Sequence, residues 1–187
     1  MPKRKKILLT TSRRPTNRIR SFCHDFAGCL PNIVRINRGK LNLDGIVEKT
    51  LEINADRVVL IDRWKGGAGK IQLFLVKETG LTPVPPLVHI KGIKLRREFE
   101  MKTKRAQSLV ITASSESSSH SKKIGEFLAD FFNIPLLSVE QVVSRYSASM
   151  YISTNTSSRI IITFVILPEF MEIGPRISVA EIYFDKV

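Results

Sequence analysis

No apolar run in this sequence reaches the roughly 18 residues that cross a bilayer as a helix, which excludes a conventional membrane span. The opening Met-Pro-Lys-Arg-Lys-Lys is not followed by the stretch of about 7 apolar residues that marks a signal peptide. Cysteine is scarce: Cys23 and Cys29 lie six apart, a spacing that fits neither a zinc pair nor a disulfide within a helix, so both read as core thiols. His24, His89 and His120 are scattered, and no pair of carboxylates stands out. The Ser-rich segment 114–121 lacks the Gly-x-Ser-x-Gly elbow of hydrolases. Gly66-Gly67-Ala68-Gly69-Lys70 fails as a phosphate loop, because Trp64 stands where the first glycine belongs and Ile71 where Ser or Thr takes magnesium. These absences point away from an enzyme and from a cofactor or metal, and toward a binding protein.

Positive charge is abundant and one-sided. The chain has 187 residues and a formal net charge of +13. Residues 1–105 hold 24 Lys and Arg against 9 Asp and Glu, whereas 106–187 hold 6 against 8. A uniformly basic surface would serve solubility; a charge confined to one half reads as the footprint of a polyanion. Apolar residues make up 43% of the sequence, enough for a packed core and too many for global disorder.

The chain is organised around Ile7 to Phe26. Ile7–Leu9 is an apolar run of the kind a doubly covered strand shows. Pro15 disfavours helix at Arg14, so a helix starts after it, with Thr16 or Asn17 as N-cap. Ile19, Phe22, Cys23 and Phe26 then recur at i, i+3, i+4 and i+7 and define one apolar helical face. Further along, the sequence predicts strands at 32–36, 57–62, 71–77, 81–84 and 87–91, and a helix at 43–53. The basic connector 93–105 reads as partly helical. In the second part, strands are expected at 108–114, 134–137, 150–153, 159–167 and 177–187. Helices are expected at 119–132 and, from a Ser138/Gln141 capping box, up to Tyr146.

The two parts repeat. A shift of 102 lays Ile7–Ser12 on Leu109–Ser114, and a shift of 105 lays Ile19, Phe22, Cys23 and Phe26 on Ile124, Phe127, Leu128 and Phe131. Each copy reads as strand, helix, strand, helix and then antiparallel strands, with right-handed crossovers between the parallel ones. The expected fold class is therefore α/β (mixed α+β): two similar halves, 1–105 and 106–187, each a mixed sheet with packed helices, related by a pseudo-twofold. The first loop carries Arg13, Arg14, Arg18 and Arg20, and its counterpart is mostly serine, so the first half is expected to hold the polyanion. Arg35, Arg38 and Lys40 follow the second strand; loops after parallel strands gather at one sheet edge, which would bring them alongside. Lys94, Arg96 and Arg97 belong to a second basic group. Lys and Arg at phosphates give affinity by counterion release. Trp64 is the one aromatic placed to stack an unpaired base.

Leu8–Phe22 (Leu-Leu-Thr-Thr-Ser-Arg-Arg-Pro-Thr-Asn-Arg-Ile-Arg-Ser-Phe), followed by Arg35-Ile-Asn-Arg-Gly39, resembles the start of a Brix domain. It is most similar to archaeal Brix proteins and to the eukaryotic branch of the small-nucleolar-ribonucleoprotein complex that processes small-subunit pre-rRNA. Gly92–Phe99 resembles the family segment likened to a bacterial sigma factor. The resemblance implies a non-catalytic ribosome biogenesis factor that binds rRNA or pre-rRNA, with two halves each like the anticodon-binding domain of class II synthetases. It also implies other assembly proteins as possible partners. The expected protein is a monomer away from membranes, cytoplasmic in an archaeon and nucleolar in a eukaryote. The alternative is a scaffold that docks another assembly factor without touching RNA.

Overall fold

The computed structural model describes residues 6–64, 67–99, 107–114, 119–142 and 145–185. The chain divides into two compact units, one running up to Ile90 and taking in the chain from Glu181, the other spanning Lys91–Ala180.

In the first unit, β1 (Lys6–Thr11) sits between β2 (Ile33–Arg35) and β3 (Ala55–Trp64), parallel to both. Its buried run from Ile7 to Thr11 is what a central, doubly covered strand requires. β3 pairs antiparallel with β4 (Gly67–Lys77), and β4 with β5 (Gly80–Lys94). Helix α1 (Asn17–Cys29) joins β1 to β2, and α2 (Leu43–Glu52) joins β2 to β3. The chain thus steps from β1 to one neighbour and then back across to the other. Right-handed crossovers then put α1 and α2 on opposite faces. Packing agrees: Ile46 of α2 clusters with Leu8, Val58 and Leu60, leaving the alternate side chains Ile7, Leu9, Val59 and Ile61 to the other face. α1 buries Ile19, Phe22, Cys23, Phe26 and Cys29, the predicted stripe extended by one turn. Its N-cap is Thr16, whose hydroxyl accepts the Ile19 N–H at 3.3 Å. Both cysteines are free and buried.

The second unit has the same connectivity. β6 (Leu109–Ala113) lies between β7 (Leu136–Leu137) and β8 (Ala148–Thr154), parallel to both, and β8 pairs antiparallel with β9 (Ile160–Ile166). α3 (Ser119–Phe132) and the short α4 (Val139–Val142) make the two crossovers. Val142 packs with Val110, Val165 and Leu167 on one face, while α3 buries Ile124, Leu128 and Phe131. The Ser138 N–H donates to Gln141 Oε1 at 3.2 Å, one arm of the predicted capping box. β9 also pairs with β10 (Met171–Glu172) and β11 (Arg176–Tyr183), both antiparallel.

Three expectations change. The separate strands at 81–84 and 87–91 are one strand, β5, whose ladder with β4 shifts between Ile71 and Leu73 so that Pro85 and Pro86 are skipped. Proline has no N–H to give a ladder, and a bulge removes the demand for one. Within 93–105, β5 continues to Lys94 and only Arg96–Glu98 forms a 3-10 turn; the rest of the connector from residue 100 lies outside the described residues. The two-residue β10 is too short to carry a periodic signal in the sequence.

β10 and β11 carry a polar network. Glu172 accepts from Thr163 Oγ1 and from Nε and Nη2 of Arg176, the Nε bond being 2.6 Å long. Burial by itself would raise the Glu172 carboxyl; the Arg176 and Thr163 hydrogen bonds, with the charges of Arg176 and Lys94, outweigh it and hold it below the ordinary carboxylate range. A depressed folded-state value contributes stability above the unfolded pKa and loses it as the carboxylate protonates. Denaturant midpoints should therefore fall as pH drops below about 4.3. In Glu172→Gln that part of the acid dependence should vanish, with the loss already present at pH 7.

Candidate nucleic-acid interface

β1 and β2 run parallel, so the loops that follow them emerge at the same sheet edge. Between them lies a cleft of about 260 Å³, with Arg13 and Pro15 from the first loop and Arg20 and Cys23 from α1 among its lining residues. Arg35, Ile36, Asn37, Arg38 and Gly39 line it from the end of β2 and the loop beyond. Four of the arginines singled out from sequence thus meet in one concavity, although up to 25 positions separate them.

The four have different surroundings. Arg13, Arg20 and Arg35 are exposed. Arg20 Nη1 donates to Asn17 Oδ1 at 3.4 Å, and Arg35 Nη1 to Asn37 Oδ1 at 3.1 Å. Arg38 is half-buried and committed to the backbone: Nε donates to the Leu41 carbonyl at 3.1 Å and Nη1 to the Thr11 carbonyl at 3.4 Å. It fastens the loop after β2 to the end of β1. Burial lowers its pKa, the like charge of Arg13 lowers it further, and Asp62 acts the other way. An anion entering the cleft would relieve the crowding of positive charge that Arg13 imposes on Arg38. Burial pushes the Cys23 thiol up to about 12, against the opposing pull of Arg35, so it remains a neutral floor group and adds no negative charge.

Arg14, Arg18 and Lys40 are exposed on the same loops and the start of α1, beyond the cleft lining. Lys94, Arg96 and Arg97 belong to the second unit. There the Lys94 ammonium lies 4.2 Å from the Phe99 ring centroid, a cation–π contact. The side chain of Trp64 lies outside what the structure describes. Thr11, whose hydroxyl sits in the sequence Thr10–Arg14 that favours phosphate, also lines the cleft, whereas Asn37 and Cys23 were not expected there; only the nearness of Asn37 to two arginines could have flagged it. Asp62, near the end of β3, accepts the Arg63 N–H at 2.7 Å and pairs with Lys70 at 3.7 Å. Among the described residues no group of three or more His, Cys, Asp and Glu is placed to hold a metal, and no helix is long and apolar enough to cross a membrane.

No family model matches the chain. Individual proteins do. A probable Brix domain-containing ribosomal biogenesis protein of Methanopyrus kandleri is 27% identical over 178 residues, 90% of each chain. The protein of the same description from Thermococcus kodakarensis is 35% identical over 93 residues, 50% of this chain and 44% of its own length. The crystal structure of a probable ribosomal biogenesis protein from Aeropyrum pernix superposes with a TM-score of 0.76 at 22% identity, over 95% of this chain and 98% of that one. Mil, an archaeal Imp4-like protein, gives 0.66 at 17% identity, over 95% and 99%. At these identities the two solved structures speak for the fold, a mixed α/β architecture with several helices. The resemblance carried by Leu8–Phe22 and Arg35–Gly39 is borne out: the chain is similar over most of its length to archaeal proteins described as Brix domain-containing ribosomal biogenesis proteins.

Proposed function

We propose that this chain is a non-catalytic ribosome biogenesis factor that holds rRNA or pre-rRNA by its phosphates at the β1–β2 edge of the first unit. The observation that carries the reading is the convergence of Arg13, Arg20, Arg35 and Arg38 on one cleft, in a chain similar to proteins described as ribosomal biogenesis proteins. Guanidinium forks match phosphate oxygens in pairs, and each neutralised phosphate releases counterions. Arg14, Arg18 and Lys40 extend the basic surface, with Lys94, Arg96 and Arg97 as a further group. The basic half 1–105 is the RNA-holding half in this reading, and 106–187 its neutral to acidic copy. Their shared strand–helix order supports a duplicated, pseudo-twofold fold in which each half resembles an anticodon-binding domain. A monomer in the cytoplasm of an archaeon, working beside other assembly proteins in pre-rRNA processing, completes the proposal.

Replacing Arg13 and Arg14 together by Ala should weaken binding to a structured rRNA fragment. It should also flatten the plot of log affinity against log salt by about one unit per lost contact. Unchanged affinity and slope, followed by fluorescence anisotropy from low to high salt, would remove these residues from the interface.

One observation favours the scaffold reading as a second possibility. Leu43 and Leu51 of α2 are 51% and 58% exposed, with half-buried Val47 between them at helical spacing, an apolar stripe open to a protein partner. Nuclease treatment of a pull-down separates the two: an assembly factor retained without RNA belongs to the stripe.

A further inference from the structure

The basic cleft mixes apolar and amide groups with its arginines, and a surface that only neutralises phosphates needs neither. Paired RNA keeps its bases stacked inside the helix and presents phosphates and 2′-hydroxyls along its outside, so it has no single group to insert into a small pocket. Here Pro15 and Ile36 share the lining with the exposed Arg13, Arg20 and Arg35. Asn37 adds a directed amide. Its Oδ1 accepts from Arg35 Nη1 at 3.1 Å, which fixes the side chain and leaves the Nδ2 donors for an acceptor in the cleft. The volume of about 260 Å³ falls just below the roughly 300–1,000 Å³ of drug-sized ligand pockets, room for a base with its sugar and phosphate left at the mouth, and far too little for a double helix.

We infer that the cleft seats one unpaired nucleotide of an RNA, its base against Pro15 and Ile36, its phosphate among the arginines, and an acceptor of base or sugar on Asn37. The inference rests on the proposed RNA-binding function and adds the form of RNA bound. Extruding a nucleotide costs least where it is already bulged or single-stranded. Such a site therefore prefers loops, bulges and strand ends to continuous duplex. The charged residues that line the cleft are all arginines, and the Asp62 carboxylate that acts on Arg38 stands outside the lining, so the entering phosphate meets no carboxylate in the lining itself.

Fluorescence anisotropy with three labelled RNAs at one salt concentration tests this: a continuous duplex of about 16 base pairs, the same duplex with a single bulged nucleotide, and an unpaired strand of equal length. The bulged and unpaired RNAs should bind about tenfold tighter than the duplex, the scale of burying one base. Asn37→Ala should erase most of that difference. As a readout independent of any variant, 4-thiouridine at the bulge should crosslink to residues 13–20 or 35–39. Equal affinity for all three RNAs, a preference untouched by Asn37→Ala, or crosslinks confined to other segments would each overturn the inference while leaving phosphate binding intact. Binding to none of them would overturn the proposed function as well.

Discussion

Gly174→Ala should lower the unfolding free energy by about 3 kcal/mol and the melting temperature by roughly 6–12 °C. Two independent costs meet at this residue. Its φ is +62°, in the left-handed region where a Cβ crowds the following carbonyl at a cost of about 1–2 kcal/mol. A Cβ built there also overlaps Phe99 Cε2, and it would lie 2.9 Å from Cδ2 and 3.1 Å from Cζ. Moving the ring aside would give up two cation–π contacts. Lys94 Nζ sits 4.2 Å from its centroid and the Arg176 guanidinium carbon 5.8 Å, and Arg176 is itself held by Glu172. Leu95, four residues before Phe99, is fully buried and anchors the same segment. Urea titrations followed by circular dichroism would measure the loss. Adding Phe99→Ala to Gly174→Ala should cost less than the sum of the single changes by about 1–2 kcal/mol, because the overlap is gone and only the backbone cost remains. Strict additivity would show that the ring and the glycine do not oppose each other.

Much of the scaffold could be read from the sequence because local signals agree with tertiary demands. The Ile19-Phe22-Cys23-Phe26 stripe marks a helix whatever it packs against, and Thr16 after Pro15 marks where it starts. Ile7 to Leu9 announces a central strand because both its faces are apolar. The pairing of Arg13 and Arg20 with Arg35 and Arg38 followed from topology: successive parallel strands release their loops at one edge. What stayed hidden depends on partners far along the chain. Pro85-Pro86 looks like a break between two strands, since a sequence shows the missing N–H but not the bulge that makes it harmless. Glu172 and Arg176 are four apart, a helical spacing, yet they join across the turn from β10 to β11. Asn37 reads as a loop residue until Arg35 is seen to hold its amide. Charge, finally, is visible in a sequence while the destination of each N–H is not, and for Arg38 that difference decides its part in the site.

Arg38→Ala should weaken RNA binding by about a hundredfold, against roughly tenfold for Arg13→Ala, although Arg38 is the less exposed of the two. Arg13 offers one charge at the rim. Arg38 offers charge and also ties the Thr11 and Leu41 carbonyls together, which sets the spacing of the two cleft walls. Without it both carbonyls lose a charged donor, and the loop carrying Asn37 and Gly39 loses its tether, so the groups that face the ligand move apart. Arg38→Lys separates the two contributions. A lysine keeps the positive charge but cannot reach two carbonyls with a rigid fork. The expected result is a salt slope close to that of the unmodified protein with most of the affinity still missing. Full recovery of affinity by lysine would mean that Arg38 acts as a point charge alone, and that the cleft walls keep their positions without it.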